Sequence, residues 1–323
     1  MHLDVVIPTY NRQALLPLTL QSLLQAPVPA GMQVDVTVVD NNSSDNTAEV
    51  VNNWNDRFSN HLHYVFEPKQ GRSHALNTGI RSTFGELVGF IDDDEEIAVD
   101  WFKCVSQAFS TMDVDFIGGP YIPKWEIEAP RWLPKKYCGV IGWIDGGNKI
   151  VPYGDSYSGI LMGGNAVLSR AILEKVGLYR TSLSRNGEKL LAGEDDDMYR
   201  RLLAAGAKGL YLPNLEIFHF IPATRLTKTY HRRWCFWRGV SQGMLDHVRP
   251  ESAKYLLGVP RYLYGDAARG LWANIKAFTD KNNNPAEYFS NELAAWDLFG
   301  FFYGKHFYYS KIESDSSFAL DES

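Results

Sequence analysis

Short apolar runs alternate with amphipathic segments along the first ninety residues. Continuous apolar stretches bounded by proline, acids or turn residues predict buried strands at 4–8, 34–40, 62–66 and 87–91. Leucine spacing and capping residues predict helices between them, at 13–25, 47–54 and 73–81. This alternation is typical of parallel βαβ units, whose ligands bind at the carboxyl ends of the strands. The pattern therefore predicts an α/β fold with functional residues directly after its strands.

The pattern changes after Gly119. Residues up to Gly164 are rich in proline, tryptophan and glycine and predict irregular loops. Helices are predicted again at 169–176 and 195–205, and a strand is expected to contain His219. The final hundred residues are mostly helical in pattern. We therefore expect three parts: a main domain over 1–220 with an internal division near residue 120, a mostly helical extension over 221–312, and a disordered tail over 313–323.

Composition places the 323-residue chain among foldable globular proteins. Hydrophobic residues make up 45% of it and charged residues 22%, which excludes extensive disorder. The net charge of −6 argues against a nucleic-acid-binding protein. Three widely spaced cysteines without a CxxC pair argue against a disulfide framework or a zinc site and favour a reducing compartment. Neither a signal peptide nor a membrane-spanning stretch is predicted.

Basic residues are concentrated in the segment 221–280, which has ten Lys or Arg and four Asp or Glu. Residues 1–220 carry a net charge of −8, and residues 281–323 carry −4. The basic segment also has bulky aromatic side chains, and a second aromatic stretch follows at 288–309. This composition fits a helix packed against the main domain with its arginines outward. It also fits a surface that faces phosphates or membrane headgroups, and the sequence leaves both interpretations open.

Five carboxylates, Asp92 to Glu96, directly follow the strand predicted at 87–91. Adjacent like charges repel one another, so the cluster is costly unless a cation lies among them. Mg²⁺ and Mn²⁺ bind carboxylate oxygens together with substrate phosphates and are the natural candidates. A solvated acidic turn is the alternative interpretation.

Four segments together resemble the ordered motifs of the family 2 glycosyltransferases. They are Val5–Arg12 (VVIPTYNR), Val38–Thr47 (VVDNNSSDNT), Gly71–Gly79 (GRSHALNTG) and Asp92–Asp94 (DDD). The resemblance covers roughly residues 3–220 and implies the GT-A fold, a Rossmann-like, mixed, mainly parallel sheet flanked by helices. It implies a nucleotide half at about 1–119, an acceptor half at about 120–220, and an enzyme that uses a nucleoside-diphosphate sugar.

The resemblance also implies where the nucleotide-sugar binds. The base is expected against the loop after the first strand and the acid that ends the second strand, namely Pro8, Thr9, Tyr10, Arg12 and Asp40. Asp40 has an alternative role as an acid that caps the next turn. Arg72 or Lys69 is placed to meet the diphosphate, because a guanidinium offers bidentate hydrogen bonds. Many family members have an arginine where this chain has Leu76.

Asp92 and Asp94 match the two acids of the family's DxD motif. Asp92 is expected to contact the ribose or the ion, and Asp94 to ligate the Mn²⁺ or Mg²⁺ that bridges the diphosphate. Asp93, at the variable position, is a further nucleotide-sugar contact. His219 is expected to complete the metal site or touch the diphosphate, with Arg225 near enough to bind phosphate. A lone histidine is more often structural, and the other seven histidines have no comparable sequence context.

A second acidic cluster, Glu194 to Asp197, opens a predicted helix. Acids in the first turn of a helix cap its amide groups, so capping is one explanation. The resemblance instead implies that Asp195 is the general base and that Glu194 orients the acceptor or that base. One base without a carboxylate nucleophile implies direct displacement and inversion at the sugar carbon. Gly164 and Asn165 belong to a loop expected near the sugar and acceptor.

These inferences predict a metal-dependent inverting glycosyltransferase of surface-polysaccharide synthesis, with UDP as the expected nucleotide and a hydroxyl of a glycan or lipid-linked glycan as acceptor. The alternatives are a nucleotidyltransferase and a non-catalytic sugar- or nucleotide-binding relative. The first should have a glycine-rich phosphate loop after the first strand, which this chain lacks, and the second should have lost an acidic cluster. We expect a cytoplasmic protein that contacts the inner face of the cell membrane peripherally through 227–309, forms a homodimer and binds no nucleic acid.

Overall fold

The computed structural model of the chain describes residues 1–183, 190–191, 193–248, 250, 252–277 and 284–308. These residues form two compact units. The first consists of Met1–Lys124, Trp143–Thr181 and Glu194–Phe220, and the second of Trp125–Gly142 with the described parts of Ser182–Gly193 and Ile221–Ser323. The last segment of the first unit ends where the main domain was expected to end, but two earlier segments belong to the second unit. The expected tail at 313–323 lies outside the described residues.

The first unit is built around eleven strands. They are β1 (His2–Thr9), β2 (Gln33–Asp40), β3 (Leu62–Phe66), β4 (Leu87–Ile91), β5 (Glu95–Ile97), β6 (Phe116–Gly118), β7 (Tyr121–Trp125), β8 (Val151–Pro152), β9 (Asn165–Ser169), β10 (Gly209–Tyr211) and β11 (Ile217–Ile221). Eight of them form a sheet in the order β3-β2-β1-β4-β9-β6-β10-β8, and β5-β11-β7 form a smaller one. Strands β1 to β4 pair in parallel, whereas β9 runs antiparallel to both β4 and β6.

Helices cover the two faces of the large sheet. They are α1 (Leu16–Gln25), α2 (Thr47–Trp54), α3 (Arg72–Arg81), α4 (Trp101–Thr111), α5 (Arg170–Val176) and α6 (Glu194–Ala204). Side chains alternate across a strand, so Leu3, Val5 and Ile7 of β1 pack in one core with α1 and α4. Val6 packs in a second core with α3 and α6. Burial on both faces explains why the middle of β1, from Val5 to Pro8, is continuously apolar.

The mixed, mainly parallel sheet flanked by helices confirms the predicted fold class. Helix α2 and strands β3 and β4 have the bounds predicted from the sequence. The ends of β1, β2, α3 and α5 differ from their predicted positions by one or two residues. Helix α4 was missed, although the burial of Trp101, Phe102 and Val105 shows the helical spacing that would have predicted it. Strand β9 was also missed, because Gly163 and Gly164 before it were interpreted as part of a longer loop.

Helices α7 (Lys228–Val248), α8 (Arg261–Ala277) and α9 (Pro285–Tyr303) dominate the second unit, with a short hairpin of β12 (Tyr255–Leu256) and β13 (Val259–Pro260). This confirms the predicted helical character of the C-terminal region. Helices α7 and α9 approach backbone to backbone along Gly239 and Gly243 of α7 and Gly300 and Gly304, at the end of α9. A Cβ atom at any of these positions would overlap backbone atoms of the opposing segment. Glycine is therefore required at this crossing by space alone.

Two arginines of the basic segment pair with acids of α9. Arg232 places its guanidinium against Glu292, with an Nη2 to Oε2 distance of 2.9 Å. Arg238 donates from Nε to Asp297 Oδ1 at 3.0 Å. These ion pairs hold α7 against α9, and both interpretations of the basic segment stay predictions. Within the described part of the chain, no helix combines the length and apolar character needed to cross a bilayer.

Candidate active site

The nucleotide motifs meet at the carboxyl ends of neighbouring parallel strands. Strands β1 and β2 end side by side at Thr9 and Asp40, and β4 ends directly before Asp92. Asp40 is buried, and its carboxylate accepts hydrogen bonds from the Ser43 amide (2.9 Å) and the Tyr64 hydroxyl (2.8 Å). Burial and Asp40 together raise the pKa of Tyr64 to about 12. The described contacts of Asp40 therefore match its alternative role as an acid that caps the next turn. Its contact with the nucleotide base stays a prediction.

The loop after β1 lies against the first acidic cluster. The Tyr10 amide donates to Asp93 Oδ2 at 3.4 Å, and Arg12 places Nε 3.5 Å from Asp93 Oδ1. Arg12 also lies 3.9 Å from Asp94. Burial and the nearby Asp94 raise the pKa of Asp93 to about 7, although Arg12 and the Thr9 hydroxyl oppose the shift. Pro8 precedes this loop as part of β1. The loop therefore places the positive charge of Arg12 and the half-exposed ring of Tyr10 beside the acids.

Asp94, Glu95 and His219 form a buried cluster of cation-binding groups. The antiparallel register of β5 and β11 pairs Glu95 with His219, and His219 Nε2 lies 3.5 Å from Asp94 Oδ1. One ligand atom from each residue lies within 4.8 Å of the others. Burial, Asp92 and Asp94 together raise the pKa of Glu95 well above its usual value, so the ionised cluster is costly without a cation. Two carboxylates and an imidazole fit Mn²⁺ or Mg²⁺.

Glu95 was not singled out from the sequence as a ligand. The signal was present, because Glu95 belongs to the run of acids and is the residue most completely buried among them. Its carboxylate also accepts a hydrogen bond from the Asp92 amide at 2.8 Å. Glu95 therefore both shapes the turn after β4 and contributes charge to the cluster.

Arg72 joins the two acidic clusters. Its Nη2 atom donates to Asp92 Oδ1 at 2.8 Å, while Nη1 lies 3.3 Å from Asp195 Oδ1 and 3.6 Å from Glu194 Oε1. Burial alone would lower the pKa of Arg72, but Asp92, Asp195 and Glu194 raise it well above its usual value. Of the two candidates for the diphosphate contact, Arg72 lies in the site and Lys69 is exposed. The guanidinium can therefore face both a donor and an acceptor.

The structure separates the four acids that open α6. Asp196 pairs with Arg200 one turn later (3.0 Å), and Asp197 pairs with Arg201 in the same way (2.8 Å). These two pairs are ordinary helix contacts. Asp195 instead accepts a hydrogen bond from the Gly163 amide at 3.1 Å and faces Arg72. Only the first part of the cluster, Glu194 and Asp195, is thus directed toward the residues of the other motifs.

Two glycines before β9 allow the acids to approach the backbone. A Cβ atom on Gly163 would overlap the Asp195 carboxylate, and one on Gly164 would lie 2.5 Å from Glu95 Oε1. The next residue, Asn165, is buried. Its side chain accepts from Trp101 Nε1 (2.9 Å) and donates to the Leu215 carbonyl (2.7 Å). Those bonds give Asn165 a structural role, and its contact with the donor stays a prediction.

Replacement of Gly163 by Ala is expected to lower the transfer rate about 100-fold, because a displacement of about 1 Å in a reacting group costs that much. The added methyl group would push Asp195 from its position. Initial rates and nucleotide affinity measure the effect, and affinity should change far less than rate. Gly139→Ala is the matched control, because no atom lies within 4 Å of a Cβ there. A fully active Gly163→Ala enzyme would contradict the role given to this contact.

Two further residues complete the description of the site. Arg225 ends the short 3-10 helix Ala223–Arg225 in the second unit, and its phosphate contact stays a prediction. Tyr121, which was missed from the sequence, is buried with its ring edge toward His219 at 6.4 Å between centroids. Burial, Glu95 and Asp92 raise the pKa of Tyr121 well above its usual value. Its hydroxyl has no hydrogen-bond partner among the described residues.

Comparisons with known proteins agree with this geometry. The family model described as Glycosyl transferase family 2 matches residues 4–177. The succinoglycan biosynthesis protein ExoM of Rhizobium meliloti is 25% identical over 246 residues, covering 76% of this chain and 75% of ExoM. A Campylobacter jejuni protein named GalNAc(5)-diNAcBac-PP-undecaprenol beta-1,3-glucosyltransferase is 37% identical over 113 residues, 34% of this chain and 33% of that protein.

Solved structures show the same fold. The mannosyltransferase PcManGT of Pyrobaculum calidifontis, in complex with GDP-Man and Mn²⁺, aligns with a TM-score of 0.58 at 20% identity, over 94% of this chain and 86% of that one. TarS 1–349 of S. aureus, in complex with UDP-GlcNAc, aligns with a TM-score of 0.53 at 14% identity, over 96% and 92%. These neighbours are GT-A glycosyltransferases, which confirms the fold expected from the motifs. Because the family model matches more than half of the sequence, the chain belongs to glycosyltransferase family 2.

Proposed function

We propose that this enzyme is a metal-dependent, inverting glycosyltransferase. It moves a sugar from a nucleoside-diphosphate sugar, with UDP as the expected nucleotide, to a hydroxyl of a glycan or lipid-linked glycan in surface-polysaccharide synthesis. The observation that carries the proposal is the position of Arg72, which contacts both the DxD residue Asp92 and the base candidate Asp195. Arg72 thus connects the acidic cluster that would bind the donor with the acidic cluster that would bind the acceptor.

On the donor side, Asp92, Asp94 and His219 would hold the divalent cation, with Glu95 beside them. The cation would supply positive charge for the diphosphate as it leaves. Pro8, Thr9, Tyr10 and Arg12 would line the nucleotide together with Asp40 and Asp93. Arg72 and Arg225 would contact phosphate oxygens, and Gly164 with Asn165 would border the sugar.

On the acceptor side, Asp195 would remove the proton of the attacking hydroxyl. Arg72 donates to its Oδ1 atom at 3.3 Å and the Gly163 amide donates to its Oδ2 atom at 3.1 Å, and these two bonds hold the carboxylate in position. Glu194 would orient the acceptor. With Asp195 as the base, the reaction needs no carboxylate nucleophile and would proceed by direct displacement with inversion of the sugar carbon. An α-linked donor would then give a β-linked product.

The names of the relatives support the proposed substrates. ExoM is named for succinoglycan biosynthesis, and the Campylobacter relative is named for a glucosyl transfer to an undecaprenol-linked glycan. The fold neighbours were solved with GDP-Man and Mn²⁺ or with UDP-GlcNAc. The two solved structures contain different nucleotides, GDP in one and UDP in the other, so the test must compare several nucleotides. Peripheral membrane contact through 227–309, homodimer formation and a cytoplasmic location stay predictions.

Thermal unfolding with UDP, GDP, dTDP or CDP, each with and without Mn²⁺, tests the proposal. A ligand at 100 times its Kd stabilises the folded state by about 2.7 kcal/mol. We expect one nucleotide, UDP, to raise the Tm of the wild type only when Mn²⁺ is present. Asp94→Asn should remove this shift, whereas Asp113→Asn, an 84% exposed surface carboxylate, should keep it. Failure of all four nucleotides to stabilise the wild type with Mn²⁺ would contradict the proposal.

A further inference from the structure

Three histidines surround one carboxylate at the amino-terminal ends of β1, β2 and β3. His2 Nε2 lies 2.7 Å from Asp35 Oδ2, His61 Nδ1 lies 2.8 Å from Asp35 Oδ1, and His63 Nε2 lies 3.3 Å from the same oxygen. Asp4 completes the group, with its Oδ1 atom 3.5 Å from His2 Nε2. No role was predicted for these three histidines from the sequence. The structure places all three against Asp35.

The strand register explains the cluster. Side chains at i and i+2 of a strand share a face, which brings His2 beside Asp4 and His61 beside His63. The parallel pairing of β1 and β2 places Asp4 directly opposite Asp35. Like charges directly opposite one another destabilise a pair of strands, so this arrangement calls for positive charge, of which Arg170 supplies part from 3.5 Å away at Asp4 Oδ2. The pairs HxD and HxH at the starts of two strands are the sequence signal.

The cluster lies far from the active site. Thr9 lies seven positions after His2 in β1. Because a strand rises about 3.3 Å per residue, about 23 Å of extended chain separates the two residues. A ligand bound by the cluster would contact neither the DxD acids nor Asp195. Its effect would be to fasten β1 to β2.

We propose that His2, Asp4 and Asp35 bind a divalent transition-metal ion, with Zn²⁺ as the best fit. One ligand atom from each lies within 4.8 Å of the others. Zinc takes imidazole nitrogen and carboxylate oxygen at about 2.0–2.2 Å in tetrahedral sites, which separates two ligand atoms by about 3.4 Å. The His2 to Asp4 distance of 3.5 Å matches this value. The proton shared by His2 and Asp35 would leave as the ion enters, and water would fill the fourth position.

Neighbouring groups already orient the three ligands. The Gly85 amide donates to Asp4 Oδ2 at 2.5 Å, which leaves Oδ1 directed at His2. Gln33 Nε2 donates to Asp35 Oδ2 at 2.9 Å, and His61 and His63 hold Asp35 Oδ1. Supporting hydrogen bonds of this kind fix ligand carboxylates in metal sites. Burial alone would raise the pKa of Asp35, but hydrogen bonds from His61, Gln33 and the other histidines hold it well below its usual range.

Zinc titration by calorimetry tests the proposal on protein without an affinity tag. The background carries Asp94→Asn and His219→Ala, which removes two ligands of the active-site cluster. We expect one Zn²⁺ per chain, a rise in Tm of about 5 °C with saturating Zn²⁺, and no response to Mg²⁺. In the same background, His2→Ala and Asp35→Asn should each weaken Zn²⁺ binding at least tenfold. His306→Ala, an exposed histidine of the second unit, is the matched control and should bind as before.

The double variant His61→Gln, His63→Gln provides a second test that does not depend on the buried acids. Both side chains are half exposed, so the variant should fold, and loss of the supporting bonds should weaken Zn²⁺ binding about tenfold. Absence of Zn²⁺ binding in the Asp94→Asn, His219→Ala background would overturn the proposal. Binding that is unchanged in both His2→Ala and the double variant would overturn it as well.

Discussion

Asp195→Asn is expected to abolish sugar transfer while nucleotide binding stays intact. The amide cannot take a proton from the acceptor hydroxyl, and general-base catalysis contributes about 10²–10⁴ in rate. The substitution keeps the shape of the side chain, and its one remaining oxygen can accept from either the Gly163 amide or Arg72, which bind different oxygens of the Asp195 carboxylate. Release of nucleoside diphosphate at saturating donor and acceptor measures transfer. Calorimetry with the nucleotide and Mn²⁺ measures binding, and its Kd should change less than threefold, roughly as for uncoupled positions.

Asp196→Asn is the matched control for this experiment. Asp196 is the next residue of the same acidic run, yet its carboxylate pairs with Arg200 one turn later in α6. Because the Asp196 side chain is buried, its replacement should cost about 1–3 kcal/mol of stability but little activity. If Asp195→Asn retained wild-type transfer, or if the two variants lost activity equally, Asp195 would not be the base.

Arg72→Gln is expected to reduce both stability and transfer. The variant leaves Asp92, Glu194 and Asp195 without their shared cation, and removing one partner of a buried ion pair costs about 3–5 kcal/mol in the free energy of unfolding. Transfer should fall at least 100-fold, because the guanidinium contacts both the donor-side acid and the base. Urea unfolding and initial rates measure the two effects.

The stability loss of Arg72→Gln should be the same from about pH 6 to pH 9. Because the pKa of Arg72 is raised in the folded protein, its charge is present at every pH below about 12, and the stability that it contributes is fully present there. Arg200→Gln removes a partly exposed pair from α6 and serves as control. An equal loss of stability in the two variants would contradict the role given to Arg72.

The sequence pattern was sufficient for strands β1 to β4 and for helices α1 to α3. Each of these elements repeats a local period, and β1 to β4 follow one another in ordinary βαβ order. Strand β9 could not be predicted in the same way, because it is short and pairs with β4 and β6 from far away in the sequence. Helix α4 was predictable in principle from Trp101, Phe102 and Val105.

The motifs located the candidate site, but not its internal contacts. Asp94 and His219 lie 3.5 Å apart, and Glu95 rather than Asp92 is the third residue of that cluster. The partnership of Arg72 with Asp195 joins residues 123 positions apart, and no local pattern encodes that distance. The same reason applies to the cluster of His2, Asp35 and His61, which come from three separate segments of the chain.

The insertion of β9 between β4 and β6 sets an order of events during synthesis. The ribosome releases β1 to β4 and their nucleotide motifs first, yet one edge of β4 stays uncovered until residues 165–169 emerge. Helix α6, which carries Asp195, follows later still. Pairings between distant segments slow folding and leave sheet edges exposed to aggregation. A nascent chain thus holds most of its proposed donor-binding residues well before it holds Asp195, and the uncovered edge of β4 is exposed to aggregation in that interval.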